Sequence, residues 1–482
     1  MDTSRRVRVA VLMLAVAILL LPSSSRAQAR TIEVDFSKIV GTIKPLNGVN
    51  GGPIVTRGAW DLSSNFSELG IKHIRLHDVP WMYENAVDIN YVFPRFEADV
   101  NNPESYDFFL TDYYLKSILS LGAEVTFRLG YSAEWPGHPP LHNVPPKDFG
   151  KWAAICAHIV QHYNGGWADG FHYNIRYWEI WNEPDIPEFW TGTPEEYYEL
   201  YDVTAKAIRS VDPNLKVGGP TLAGPGHLDF LEGFLKYCAD HRDPLDFVSW
   251  HIYSRQPYDV FSRAAKVQDL LSTYGYPKAE SVLDEWNYYP AESHCEQEWG
   301  EGRMSQDDAR HCEDFFAKQQ GGPAGAAFDA SVLIYLQDST VAIADFYQGT
   351  NFFWGALYDE YGVPLQPFFT FRAFRFLLDT PDRVSVAGSD HSGFAVVAGL
   401  SKDKSAGTII ISNFGTLDHH YNFSFRGLPW NKPFVYEKSM IDSYHHLELT
   451  DSEHLSSKTG TLTTTEEVEA PSVCLIRLRT AP

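Results

Sequence analysis

Short β-rich runs and longer helical stretches alternate along most of the chain. The β-rich runs lie at 43–49, 71–77, 124–129, 175–181, 216–219, 247–253, 281–286 and 341–346. Helical periodicity at 106–121, 148–163, 194–211 and 230–241 falls between them, which is the pattern of repeated βα units around a parallel sheet. Eight strands of this kind close on themselves, so the fold class expected is α/β, a (β/α)8 TIM barrel over residues 43–380. That span exceeds the roughly 250 residues of a minimal barrel, and the surplus belongs in long loops. Beyond it the pattern shortens to a period of two, at 394–398, 408–412, 422–425 and 473–478, with turn residues between. This predicts a C-terminal β-sandwich accessory domain over 381–482. Residues 31–36 alternate in the same way, so the segment 30–42 is expected to join the sandwich before the barrel begins.

The first 29 residues follow another pattern. Arg5, Arg6 and Arg8 precede an apolar run at 9–21, then Pro22, three serines and the small-x-small triplet Ala27-Gln28-Ala29, the three parts of a secretory signal peptide. The 13 apolar residues fall short of the about 20 that span a bilayer. The mature protein is therefore expected to be secreted or periplasmic, with no membrane span. Five cysteines leave at least one unpaired, which excludes a disulfide scaffold. Cys295 and Cys312 flank a polar insert and are the candidate bridge.

Charge narrows the partners. There are 39 Lys and Arg against 62 Asp and Glu, a net charge of -23 without any basic stripe, and such a surface repels nucleic acid. With 13 Trp and 26 Tyr, a neutral, hydroxyl-rich ligand fits better, because rings cover the apolar faces of sugars while carboxylates accept their hydroxyls.

Two strand ends carry the chemistry. Residues 175–184 read Ile-Arg-Tyr-Trp-Glu-Ile-Trp-Asn-Glu-Pro, a buried strand ending in Asn182 and Glu183; residues 281–287 read Ser-Val-Leu-Asp-Glu-Trp-Asn and deliver Glu285. The C-terminal ends of barrel strands face the active site, and by strand count these are the fourth and seventh. Their carboxylates can therefore face each other about 5 to 5.5 Å apart, the separation of a retaining glycosidase. Glu179 is expected about 13 Å deeper at 3.3 Å per residue, as a structural acid. Asp284 is expected on the opposite face of its strand from Glu285.

The Trp-Asn-Glu-Pro at 181–184, paired with Asp-Glu-Trp at 284–286, resembles clan A of the glycoside hydrolases. Within that clan the chain is similar to glycoside hydrolase family 39, the β-xylosidase and α-L-iduronidase family. The resemblance implies that Glu183 is the general acid/base and Glu285 the nucleophile. It further implies that Asn182 holds the sugar 2-hydroxyl, and that His251 and Tyr253 at the sixth strand end and His77 at the second contact substrate or orient the nucleophile. Trp286, Asp345 at the eighth strand end and Trp135 in the loop after the third are further candidate sugar contacts. A two-carboxylate mechanism requires no metal or organic cofactor.

The iduronidase branch uses a basic residue two positions after the sixth-strand His, where this chain has the uncharged Tyr253. With the acidic surface, that favours a neutral oligosaccharide or glycan side chain. The reading is a retaining exo-glycosidase, β-D-xylosidase first, with an arabinose-releasing α-L-arabinofuranosidase or arabinopyranosidase as the alternative and α-L-iduronidase behind them. An inactive sugar-binding barrel is the non-enzymatic alternative, and an enzyme cutting internally in polymers is a third.

Overall fold

A computed structural model describes residues 30–55, 60–81, 84–132, 142–224, 226–290, 306–350, 357–359, 361–417, 420–457 and 459–480. The expected signal peptide, Trp135 and Cys295 lie outside the described residues. Strand β1 (Arg30–Thr42) belongs to the sandwich sheet. The barrel strands are β2 (Gly48–Asn50), β3 (His73–Leu76), β4 (Glu124–Leu129), β5 (Tyr177–Ile180), β6 (Lys216–Leu222), β7 (Phe247–Ser254), β8 (Glu280–Tyr288) and β9 (Val341–Phe346). They close in chain order, each pairing parallel with the next and β9 returning to β2. All eight expected strands are present, with ends shifted by a few residues.

Helices cover the barrel: α1 (Ser63–Leu69), α2 (Phe109–Leu119), α3 (Phe149–Gly165), α4 (Pro194–Val211), α5 (Leu228–His241), α6 (Pro257–Thr273), α7 (Gln306–Gln320), α8 (Pro323–Tyr335) and α9 (Gln366–Leu378). The start of α4 is set locally. Thr193 accepts from the Glu196 backbone, Glu196 answers on the Thr193 N–H at 2.8 Å, and Pro194 needs no amide partner, a capping box worth about 1 kcal/mol. This fixes where the loop carrying Glu183 must end.

The second sheet has nine strands. After the barrel come β10 (Asp382–Ala387), β11 (Phe394–Leu400), β12 (Ala406–Asn413), β13 (His420–Arg426), β14 (Phe434–Ile441), β15 (His446–Leu455), β16 (Leu462–Glu467) and β17 (Ser472–Thr480). Their order is β15-β14-β17-β12-β11-β10-β1-β13-β16. Strand β1 sits inside it, antiparallel to β10 and parallel to β13. Ile32, Val34 and Phe36 alternate into the sandwich core, as a period of two requires.

Helix α8 joins the two bodies. Every residue from Gly325 to Tyr335 is buried, the polar Asp329 and Ser331 included. Ser331 donates to the Ser412 hydroxyl at 3.0 Å, Ser412 to the Ala327 carbonyl at 2.6 Å and the Tyr335 hydroxyl to the Asp390 carbonyl at 2.7 Å. Among the described residues no helix is long and apolar enough to cross a membrane.

Candidate active site

The chain leaves β5 through a bent segment. Trp181 and Glu183 have φ of +73° and +45°, a region costly for residues other than glycine. Packing holds the bend: Trp181 is buried against Tyr131, Trp152 and Trp190. Its N–H donates to the Leu129 carbonyl at 2.8 Å, and the Glu183 N–H donates to the Thr221 carbonyl and hydroxyl, both at 3.1 Å. Glu183 is thereby aimed across the barrel mouth with only 8% of its surface exposed.

On the facing side, β8 carries one residue more than its neighbours. Trp250 and His251 of β7 pair with Leu283 and Glu285, skipping Asp284, and the register against β9 slips over the same stretch. The bulge breaks the strict alternation of faces. Contrary to the sequence expectation, Asp284 does not face away from the interior: its carboxyl has no exposed surface and lies 3.1 Å from Arg75 Nε and 3.4 Å from His251 Nε2. Glu285 beside it also faces inward.

The two glutamates meet around His251. Glu183 Oε1 lies 2.6 Å from His251 Nδ1, and Glu285 Oε2 lies 3.4 Å from the same nitrogen. Ligand atoms of all three lie within 4.8 Å of one another. The Tyr253 hydroxyl donates to Glu285 Oε2 at 2.8 Å, and His77 Nε2 is 3.6 Å from Glu285 Oε1. Asn182 adjoins them: its Oδ1 accepts from Arg75 Nη2 at 2.7 Å, while its buried Nδ2 has no partner. A free amide donor beside two carboxylates is suited to a ligand hydroxyl.

Arg75, which sequence reasoning passed over, is the hub. Fully buried, it donates to Glu285 Oε1 at 2.7 Å, Glu179 Oε2 at 2.6 Å, Asn182 at 2.7 Å and Asn50 at 3.2 Å. Glu179 is thus the structural acid expected, reached through one guanidinium. The available signal was an arginine between Ile74 and Leu76, two residues from His77 and so on its face of the strand. Tyr347 was also missed; its hydroxyl donates to Asp78 at 2.7 Å and its ring meets Tyr253 edge-on.

The electrostatics separate the two glutamates. Burial, then the negative charge of Asp185, pushes Glu183 well above the usual carboxylate range. Burial also raises Glu285, but His251, Arg75 and the Tyr253 hydroxyl pull it back, so Glu285 is the member of the pair that ionises first. Burial holds His251 down to about 4, and burial with Arg128 and Arg75 holds His77 well below its ordinary value. Both rings are neutral near pH 7.

Two expected contacts lie elsewhere. Asp345 is fully buried, with both oxygens taken by His73 Nδ1 at 2.8 and 2.9 Å. It also fills the space a side chain at Gly48 would need, since a Cβ there would come within 2.0 Å of its Oδ1. It braces the barrel instead of facing the cleft. Trp286, also fully buried, packs edge-on against Phe346 on the other side of β8 from Glu285. Cys312 is buried and disulfide-bonded, while Cys156, Cys238 and Cys474 are free.

Among the described residues, Glu183, His251 and Glu285 are the group whose His and carboxylate ligand atoms converge closely enough to hold a metal ion. Within this group Glu183 Oε1 and His251 Nδ1, 2.6 Å apart, share a hydrogen-bonding proton.

The family described as "Glycosyl hydrolases family 39" matches residues 24–285. A β-xylosidase of Geobacillus stearothermophilus is 32% identical over 206 residues, which are 40% of this chain and 38% of that protein. The match therefore spans about two fifths of that relative's length. Among solved structures, a glucosidase from Croceicoccus marinus superposes with a TM-score of 0.76 at 26% identity, covering 94% of this chain and 100% of that one. A GH39 enzyme from Xanthomonas axonopodis pv. citri does so with a TM-score of 0.72 at 15% identity, covering 96% and 100%.

Proposed function

Because the chain belongs to glycosyl hydrolases family 39, we propose that it is a retaining exo-glycosidase that removes a neutral terminal pentose, β-D-xylose first. The observation that carries this reading is a pair of buried carboxylates from opposite strand ends, within 4.8 Å through His251 and held in unlike environments. Glu285, ionised and oriented by Arg75 and Tyr253, attacks the anomeric carbon as the bond to the leaving oxygen breaks. Glu183 gives that oxygen its proton. The glycosyl ester on Glu285 is then opened by water, whose proton passes to Glu183 and restores both residues. Asn182 Nδ2 donates to the sugar 2-hydroxyl, a bond that strengthens as positive charge develops on the ring. His77 closes the sugar site.

A neutral substrate follows from the absence of a basic residue at position 253 and from the acidic surface. The first 29 residues act as an export signal, residues 43–380 form the catalytic barrel, and 30–42 with 381–482 form the sandwich. The likeness to a glucosidase over nearly the whole chain supports a hexose reading second to the pentose.

The test is turnover of aryl β-xyloside, β-glucoside, α-L-arabinofuranoside, α-L-arabinopyranoside and α-L-iduronide by the wild type, Glu183→Ala and Glu285→Gly. Azide is expected to rescue Glu285→Gly with inversion at the anomeric carbon and Glu183→Ala with retention. A wild type that turns over none of the panel, or a Glu285→Gly variant as active as the wild type, removes the assignment. N-terminal sequencing of exported protein checks the signal.

A further inference from the structure

Beneath the two catalytic glutamates lies a sealed set of charged groups with too few cations. Arg75, Glu179 and Asp284 have no exposed side-chain surface, and Glu285 has 6%. One guanidinium thus faces Glu179 of β5 and Asp284 and Glu285 of β8, with Glu183 and the neutral imidazole of His251 above them. Three ionised carboxylates around one cation, out of contact with water, leave excess charge that burial penalises heavily.

The unpaired atoms show where the balance is struck. Glu179 Oε1, both carboxyl oxygens of Asp284 and His251 Nε2 are all buried without a conventional hydrogen-bond partner. One proton placed on Asp284 resolves the set. Its O–H is then available to Glu179, and such a bond between the two carboxyls lowers the acidity of Asp284 and raises that of Glu179. Its other oxygen then accepts from His251 Nε2–H, 3.4 Å away. With the imidazole proton on Nε2, Nδ1 presents a lone pair to Glu183 Oε1 at 2.6 Å. That bond forms only if Glu183 carries the proton.

Resting on the glycosidase reading, we propose that Asp284 is a positioning residue, a neutral carboxylic acid that fixes His251 as its Nε2–H tautomer and so keeps the acid proton on Glu183. It touches no substrate and acts through His251. The bulge is what makes this possible, because in an unbroken strand the residue before Glu285 points out of the barrel. The other groups facing the pair oppose or support the same outcome. Asp185, Asp78 and Glu188 favour a protonated Glu183 and Arg75 disfavours it. Around Asp284, Glu179 and Glu285 favour the neutral acid and Arg75 again opposes it. Burial is the largest influence on both residues.

The experiment compares pH profiles of kcat/KM for wild type, Asp284→Asn and Asp284→Ala on one aryl glycoside that the wild type hydrolyses. Asparagine reproduces a neutral acid, with a carbonyl for His251 and an N–H for Glu179, so its profile should overlay that of the wild type within about twofold in rate. Alanine removes the acceptor for Nε2–H, and the alkaline limb, set by Glu183, should move to lower pH. A displaced alkaline limb in Asp284→Asn means that an ionised Asp284 was lost, and overturns the proposal. An unmoved limb in both variants, whatever their stability, shows a merely structural residue and also overturns it. Should the alanine variant not fold, nitrogen NMR of His251 in wild type and Asp284→Asn decides: a protonated Nε2 in both supports the proposal, a protonated Nδ1 in either refutes it. If the wild type hydrolyses no glycoside, the functional reading has failed separately, and the same NMR comparison still tests the tautomer.

Discussion

Replacing Arg75 tests whether one buried guanidinium holds the site together. Arg75→Met keeps much of the side-chain volume but deletes hydrogen bonds to Glu285, Glu179, Asn182 and Asn50. Removing one partner of a buried charge network costs about 3–5 kcal/mol, because the remaining charge is left uncompensated. The urea midpoint of barrel unfolding should fall accordingly. Activity reports a different quantity. The Arg75 charge favours ionised Glu285, so without it the acid limb of kcat/KM moves to higher pH. A misplaced nucleophile adds about a 10²-fold loss at the optimum. Arg75→Lys restores the charge but not the fork that reaches four side chains; it should recover the position of the acid limb while leaving the rate low. An Arg75→Met variant that loses stability yet keeps its acid limb would refute the idea that Arg75 sets the ionisation of Glu285.

Other substitutions probe separate links. Tyr253→Phe removes the 2.8 Å donor to Glu285; at about 1.5–3 kcal/mol for a hydrogen bond to a charged group, kcat should drop about 10- to 100-fold while the unfolding midpoint barely moves, and an unchanged kcat would count against the nucleophile assignment. Asp329, buried in α8 with neither carboxyl oxygen partnered, is pushed well above its ordinary 3.8 by burial alone. A carboxyl raised in the folded state stabilises fully below the unfolded value and loses that contribution as pH rises from about 3.8 toward the folded one. Asp329→Asn should therefore raise the urea midpoint at pH 7 and lose that advantage near pH 4; an equal gain at both would show that charge is not the cause. Zinc should inhibit by replacing the acid proton among Glu183, His251 and Glu285, whose ligand atoms lie within 4.8 Å. Inhibition competitive with substrate, stronger at higher pH and reversed by chelator is the expected pattern, and pH-independent inhibition would place the ion elsewhere.

The barrel was legible because each of its strands is a short β-rich run set between helical stretches. The candidate pair of glutamates was legible for a related reason, since both lie toward the ends of such runs. The bulge at Asp284 was not, because it is defined against His251 and Trp250 of the next strand, and one strand alone cannot show its partner's register. Trp286 and Asp345 were misplaced by the same route: sequence put them near a strand end, but the twist and pairing of β8 and β9 decide which way each points. Arg75 looked like an ordinary arginine until four partners from other strands surrounded it. In the sandwich, the residues of β15 are nearly all exposed, so no alternation marks it.

The place of β1 inside the second sheet governs how the polypeptide can be assembled. Arg30 pairs with Tyr421 and Glu33 with Ala387, so the earliest described segment to leave the ribosome finds its neighbours only after nearly the whole chain has followed it. Without β1 the sheet falls into a piece of six strands and a piece of two. The sandwich sheet therefore cannot be completed until residues on both sides of the barrel have been made, and it is not a contiguous cassette that recombination could lift out intact. Cutting the gene between them would sever one sheet and strip one face from α8. The two ends of the chain are stitched into the same seam.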